Sequence, residues 1–146
     1  MSGLSTQEKN VSEIAKNIPL GEICIQEYIV DEQYTAKHIG SGRVEVLATP
    51  AMILFMENTA LNCVQKYLPE NYTTVGVSVN VKHLNPVPKS EKVIVEARID
   101  RVEDRKIVFY EVVKWRGIII GEGIHERYIV NIHKFIDKIN KLLQTM

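Results

Sequence analysis

His83 closes a row of alternating apolar residues. Val75, Val77, Val79 and Val81 share its parity, while Thr74, Gly76, Ser78, Asn80 and Lys82 share the other, the period of a strand with one core face. The segment that follows, Leu84-Asn85-Pro86-Val87-Pro88, cannot continue a regular central strand. An imidazole at the rim of a core face is placed to face a cleft and to exchange protons near neutral pH. A histidine merely satisfied at a strand end fits the same pattern. Glu57 follows the run Met52-Ile53-Leu54-Phe55-Met56, inside a helix that must be mostly buried. A buried carboxylate needs a partner or holds its proton more tightly, and either outcome suits a general base or nucleophile. The plainer account places Glu57 at the edge of a polar stripe with Asn58, Asn62 and Gln65.

Thr49 lies eight residues before Glu57, so about 12 Å along a continuous helix, and the two cannot touch along it. A hydroxyl at a helix N-terminus sits where the dipole favours developing negative charge; ordinary capping is the simpler account from the sequence alone. Gly76 inside a strand marks a bulge or a close approach of a ligand to backbone. Arg127 lies in a mostly apolar segment, where an inward guanidinium needs an anionic partner and an outward one means little. No phosphate-cradling loop and no Gly-x-Ser-x-Gly elbow are present. His125 and His133 lack a metal-ligand spacing, the chain has no C-x-x-C pair, and no metal or separate cofactor is expected.

The elements that must carry these residues follow from periodicity. Glu22–Val30 reads as a strand, and 31–42 as a connection ending in Gly40-Ser41-Gly42. Thr49 as N-cap and Pro50 at the first helical position open a helix that runs to about Tyr67 and is stopped by Pro69. Its first turns are apolar almost all round, which predicts burial on most sides. A strand from Tyr72 is followed by strands over 92–102 and 107–116 and by a last one through Ile132, at antiparallel-hairpin spacing. The tail 135–145 reads as a short amphipathic helix, and Ser5–Asn17 as a short helix or a loose segment. The whole is an α+β arrangement with a curved antiparallel sheet wrapped around one long central helix. Residues 1–20 form an N-terminal extension and 21–146 a single domain.

With 146 residues the chain can bury a real core in one domain. Lysine plus arginine equals aspartate plus glutamate, at 18 each. The balance argues against a nucleic-acid partner and leaves little long-range steering of an anionic ligand. The N-terminal residues have no apolar signal-peptide core, and the run 48–56 is too short to span a bilayer, so no membrane partner is expected. The two cysteines, Cys24 and Cys63, each sit in an apolar stretch. They are expected as buried, reduced thiols in the cytoplasm.

Three ordered motifs together resemble the fluoroacetyl-CoA thioesterase-like family. Val46-Leu47-Ala48-Thr49-Pro50-Ala51-Met52-Ile53-Leu54-Phe55-Met56-Glu57 is similar to its central-helix signature. Thr74-Val75-Gly76-Val77-Ser78-Val79-Asn80-Val81-Lys82-His83 is similar to the strand that follows. Gly123-Ile124-His125-Glu126-Arg127-Tyr128, with Lys134-Phe135 beyond it, is similar to the last strand and chain end. The resemblance spans about Gly21 to the C-terminus. It implies a hot-dog fold and a homodimer, which can pair further into a dimer of dimers, with active sites at the subunit interface. It also implies hydrolysis of an acyl-CoA thioester, coenzyme A being part of the substrate. Thr49, Glu57 and His83 then take catalytic positions, and Gly76 and Arg127 belong to the substrate site. The fluoroacetyl-specific members carry a longer, aromatic-rich lid between the first strand and the helix. Here His38–Glu45 is short, which points to a more general small or medium acyl-CoA. A non-catalytic acyl-CoA binding module is the alternative, and an enoyl thioester hydratase a more distant one, since no Asp–His pairing supports it.

Overall fold

The computed structural model describes residues 10–146. A short helix α1 (Val11–Ala15) is followed by strand β1 (Ile23–Ile29). A 3-10 turn (Glu32–Tyr34) and a one-turn helix α2 (Ala36–Ile39) lead to the long helix α3 (Thr49–Gln65). Strands β2 (Tyr72–His83), β3 (Lys92–Glu103), β4 (Lys106–Trp115) and β5 (Ile118–Asn131) and a last helix α4 (Ile132–Gln144) complete the chain. Of the N-terminal segment Ser5–Asn17, the first five residues lie outside the described residues, and the rest contains α1.

All strand pairs are antiparallel, in the order β1-β3-β4-β5-β2. Consecutive strands β3, β4 and β5 pair through tight turns. The turn between β4 and β5 holds Arg116 at φ 50° and Gly117 at φ 77°, the two left-handed residues that a two-residue hairpin of matching twist demands. The sheet curves around α3, whose face of Ala51, Met52, Phe55, Met56, Ala60, Cys63 and Val64 is buried. This is the α+β hot-dog arrangement that the sequence implied.

The core falls into two apolar clusters stacked along α3. One gathers Met52, Phe55 and Met56 with Val93, Val95, Val113 and Ile120. The other gathers Ala60, Cys63 and Val64 with Ala97, Ile99, Ile107, Phe109 and Ile129. Between them, at one level of helix and sheet, lie Thr59, Thr74, Glu111, His125 and Arg127, all buried. A polar layer inside an apolar core is expensive unless its members pair with one another.

The two cysteines correct an expectation. Neighbouring placement of β1 and α3 brings their Cα atoms to 5.6 Å, and Cys24 and Cys63 are joined as a disulfide rather than free thiols. The disulfide removes reduced thiols as a ground for a cytoplasmic setting. Among the described residues no helix is long and apolar enough to cross a membrane. Helix α4 is capped by Asn131, which accepts from the Lys134 N–H. Its face of Phe135, Ile136, Ile139, Leu142 and Leu143 is exposed in the single chain.

Candidate active site

Thr49 does not cap its helix. The N-cap position falls to Ala48, which makes no side-chain cap bond, and Thr49 opens the helix itself. That one-residue shift from expectation frees the hydroxyl. Thr49 Oγ1 lies 2.8 Å from His83 Nδ1, across the gap between the start of α3 and the end of β2. The imidazole Nε2 is buried and makes no hydrogen bond. Burial pulls the His83 pKa below its ordinary 6.5, so the ring is neutral at physiological pH and able to take up a proton. The pair lines a shallow recess of about 310 Å³ with Leu47, Ala48, Leu84 and Pro86.

Glu57, Gly76 and Arg127 form a second group, apart from the first. Arg127 Nη1 stands 3.7 Å from Glu57 Oε2. Contrary to expectation, Glu57 is not buried in the single chain, where its side chain is 40% exposed; the guanidinium is the buried partner, at 6%. Gly76 is the close approach anticipated for it. A Cβ there would come within 2.7 Å of Glu57 Oε2 and 3.4 Å of Arg127 Nη1.

What brings Gly76 inward is a bulge. The β2–β5 register runs Thr74↔Ile129 and Gly76↔Arg127, then slips between Gly76 and Ser78 to give Val79↔His125, Val81↔Gly123 and His83↔Gly121. One extra residue reverses the alternation. The single row of Val75 through His83 therefore exists only from Val79 onward. Before the slip, Thr74 and Gly76 face the helix, and Val77 is 44% exposed. Gly121 completes the approach of α3 to β5, since a Cβ there would collide with Met52 Sδ.

Three polar neighbours of these residues are not singled out by the sequence reading. Thr74 accepts from Arg127 Nε at 2.8 Å through its hydroxyl and from Nη2 at 3.0 Å through its carbonyl. His125 Nε2 lies 3.1 Å from Arg127 Nη1, and its Nδ1 lies 3.0 Å from the Ser78 carbonyl. Burial holds the His125 pKa below the ordinary value. Glu111 is 0% exposed and neither carboxyl oxygen has a hydrogen-bond partner. Burial pushes its pKa from 4.5 up to about 9, with Arg127 opposing and Glu57 adding to the rise. Glu111 was legible as an acid standing in the inward row Ile107, Phe109, Glu111, Val113 of β4. The cluster with metal-ligand proximity among the described residues, Glu22 with Cys24 and Cys63, has its sulfurs bonded to each other.

Comparison with known proteins places this geometry. Residues 30–133 match the family FlK, fluoroacetyl-CoA-specific thioesterase. The chain is 27% identical over 134 residues to a fluoroacetyl-CoA thioesterase of Streptantibioticus cattleyicolor, covering 84% of this chain and 92% of that protein. A solved structure of the fluoroacetyl-CoA thioesterase FlK superposes with a TM-score of 0.79 at 26% identity, covering 84% of this chain and 96% of the other. A Thermus thermophilus protein described as a thioesterase superfamily member superposes at 0.81 and 25% identity, covering 88% and 95%. With the helix, bulged strand and last strand all inside the matched span, the chain belongs to the FlK family of fluoroacetyl-CoA-specific thioesterases.

Proposed function

We propose that the protein hydrolyses a small or medium acyl-CoA to free acid and coenzyme A, as a homodimer whose every site is shared between two chains. The observation that carries this reading is the division of the five residues into two groups, Thr49–His83 and Glu57–Gly76–Arg127. Both groups touch β2, an edge strand of the sheet, with Val77 and Val79 exposed along it. Antiparallel pairing with a second β2 about Asn80, with Val77 left out of the ladder at the bulge, sets Gly76 of one chain beside His83 of the other. Each half-site then meets the complementary half, and Glu57 reaches the histidine that its own chain keeps about 12 Å up the helix.

In such a site the thioester carbonyl lies near the start of α3, where the helix dipole and the Gly76 backbone N–H favour the developing oxyanion. Glu57, with Thr49, supplies or orients the nucleophile. Neutral His83 takes a proton from the attacking group and returns one to the leaving thiolate. The connection between β1 and α3 supports a general rather than fluoroacetyl-restricted acyl group. Its one Phe, Tyr or Trp residue, Tyr34, packs edge-on against Phe55 at 4.9 Å instead of forming a lid.

The test is thiol release from a panel of acyl-CoAs of graded chain length, fluoroacetyl-CoA included, with the wild type, His83→Ala and Glu57→Ala. Each substitution should abolish most turnover while light scattering still reports a dimer. Wild-type protein that binds the panel without releasing thiol would make it a binding module. Unimpaired turnover in both variants would remove the assigned residues.

A further inference from the structure

The Arg127 guanidinium is held by more than its acid. Its Nε and Nη2 are taken by Thr74, and its Nη1, the nitrogen that faces Glu57, meets His125 Nε2 at 3.1 Å. We infer that His125 is a positioning residue for the reaction proposed above, a neutral imidazole that aims the Arg127 Nη1 at Glu57. The tautomer follows from the partners. The Ser78 carbonyl can only accept, so Nδ1 carries the hydrogen and donates to it across 3.0 Å. Nε2 is left with its lone pair and accepts from Nη1. A protonated ring would instead turn an N–H against a guanidinium.

The imidazole is itself fixed on every side. It is 1% exposed, and the Phe109 ring of β4 stacks at 6.1 Å. Its carbonyl anchor, Ser78, is the residue at which the β2 register resumes after the bulge. His125 therefore links the bulge that turns Gly76 inward to the cation that faces Glu57. A hydrogen-bond acceptor at this point sets direction rather than charge, and small errors in such direction are amplified in rate.

The test compares His125→Leu and His125→Gln with the wild type, using the acyl-CoA the wild type turns over best. His125→Leu should lose about 100-fold in kcat with KM changed by less than about twofold. His125→Gln, whose amide oxygen restores an acceptor, should regain at least about tenfold of that loss. In an Arg127→Met background, His125→Leu should cost nothing further, because the residue it positions is gone. Independently of turnover, the Arg127 Nη1–H resonance in NMR should lose exchange protection in His125→Leu and keep it in His125→Gln. Equal kcat in wild type and His125→Leu, or an Arg127 resonance indifferent to the substitution, would overturn the inference and leave the thioesterase reading standing. Absence of turnover by the wild type would sink that reading, while the resonance still decides the contact. If His125→Leu does not fold, His125→Gln carries the test alone: a fully protected Arg127 resonance supports the contact and an unprotected one refutes it.

Discussion

Glu111→Gln should remove a pH dependence of stability that the wild type carries across the neutral range. The carboxyl is shut off from water and faces no hydrogen-bond donor, so the fold keeps its proton up to about pH 9, whereas an ordinary carboxyl loses it near 4.5. Below pH 4.5 both folded and unfolded chains hold the proton, and the contribution to stability is fully present. Above it the unfolded chain has shed the proton and the folded chain has not, so folding must take one up. Stability then falls by about 1.4 kcal/mol per pH unit. The loss continues until the folded carboxyl also ionises near 9, with a ceiling of roughly 6 kcal/mol. That is comparable with the whole stability of an ordinary domain, about 5–15 kcal/mol, so water entry beside β4 should truncate it. Glutamine has the same shape and does not titrate. Wild type and Glu111→Gln should therefore unfold at similar urea concentrations at pH 5, and Glu111→Gln should be the more stable by several kcal/mol at pH 8.5. Urea midpoints followed by circular dichroism between those pH values measure the divergence, and every other titrating group cancels between the two proteins. Curves that stay parallel would refute a proton held on Glu111.

Gly76→Ala should fold with a stability within about 1 kcal/mol of wild type, because the atom its Cβ meets at 2.7 Å is the free end of Glu57. Thioester turnover should drop about tenfold or more as that carboxylate is displaced, a split that thermal melts and thiol release read together. Thr49→Ala should cost about 1 kcal/mol at most, because Thr49 makes no cap bond and loses only its contact with His83; a loss near about 2 kcal/mol in denaturant titration would mean that it caps as well. Replacing both Cys24 and Cys63 by serine opens a loop of sequence separation 39, which should lower the unfolding free energy by up to about 4 kcal/mol.

Strand and helix placement was legible in the sequence because period and punctuation agreed. The valine alternation, Pro69, Gly117 and the polar turn 103–106 all sit where the chain changes element. What was not legible depended on a single residue of phase. Side-chain alternation alone cannot distinguish a continuous row from one interrupted at Val77, and the interruption is visible only in the pairing with β5. The start of α3 had the same character: Thr49-Pro50 fits a cap-then-proline pattern as well as it fits the first two helical residues. The five resemblance-based site residues fall into two groups rather than one, and periodicity could not have indicated that division. The place of His125 is hidden because spacing along the chain tests a histidine only as a metal ligand, and the disulfide because 39 positions of sequence separation hide a contact across β1 and α3.

The slip in β2 leaves the strand one residue that its ladder with β5 does not need. Val77 is 44% exposed and contributes little to the core of its own chain, so many other residues could stand there. Removing it would leave Gly76↔Arg127 and Ser78↔Glu126 as adjacent pairs of an unbroken ladder, so Thr74 and Gly76 would keep their sides and Arg127 its cradle, and only the local bend of the strand would be lost. Sequence drift at this position should thus be permissive in composition, the opposite of the pattern expected of a packed core residue.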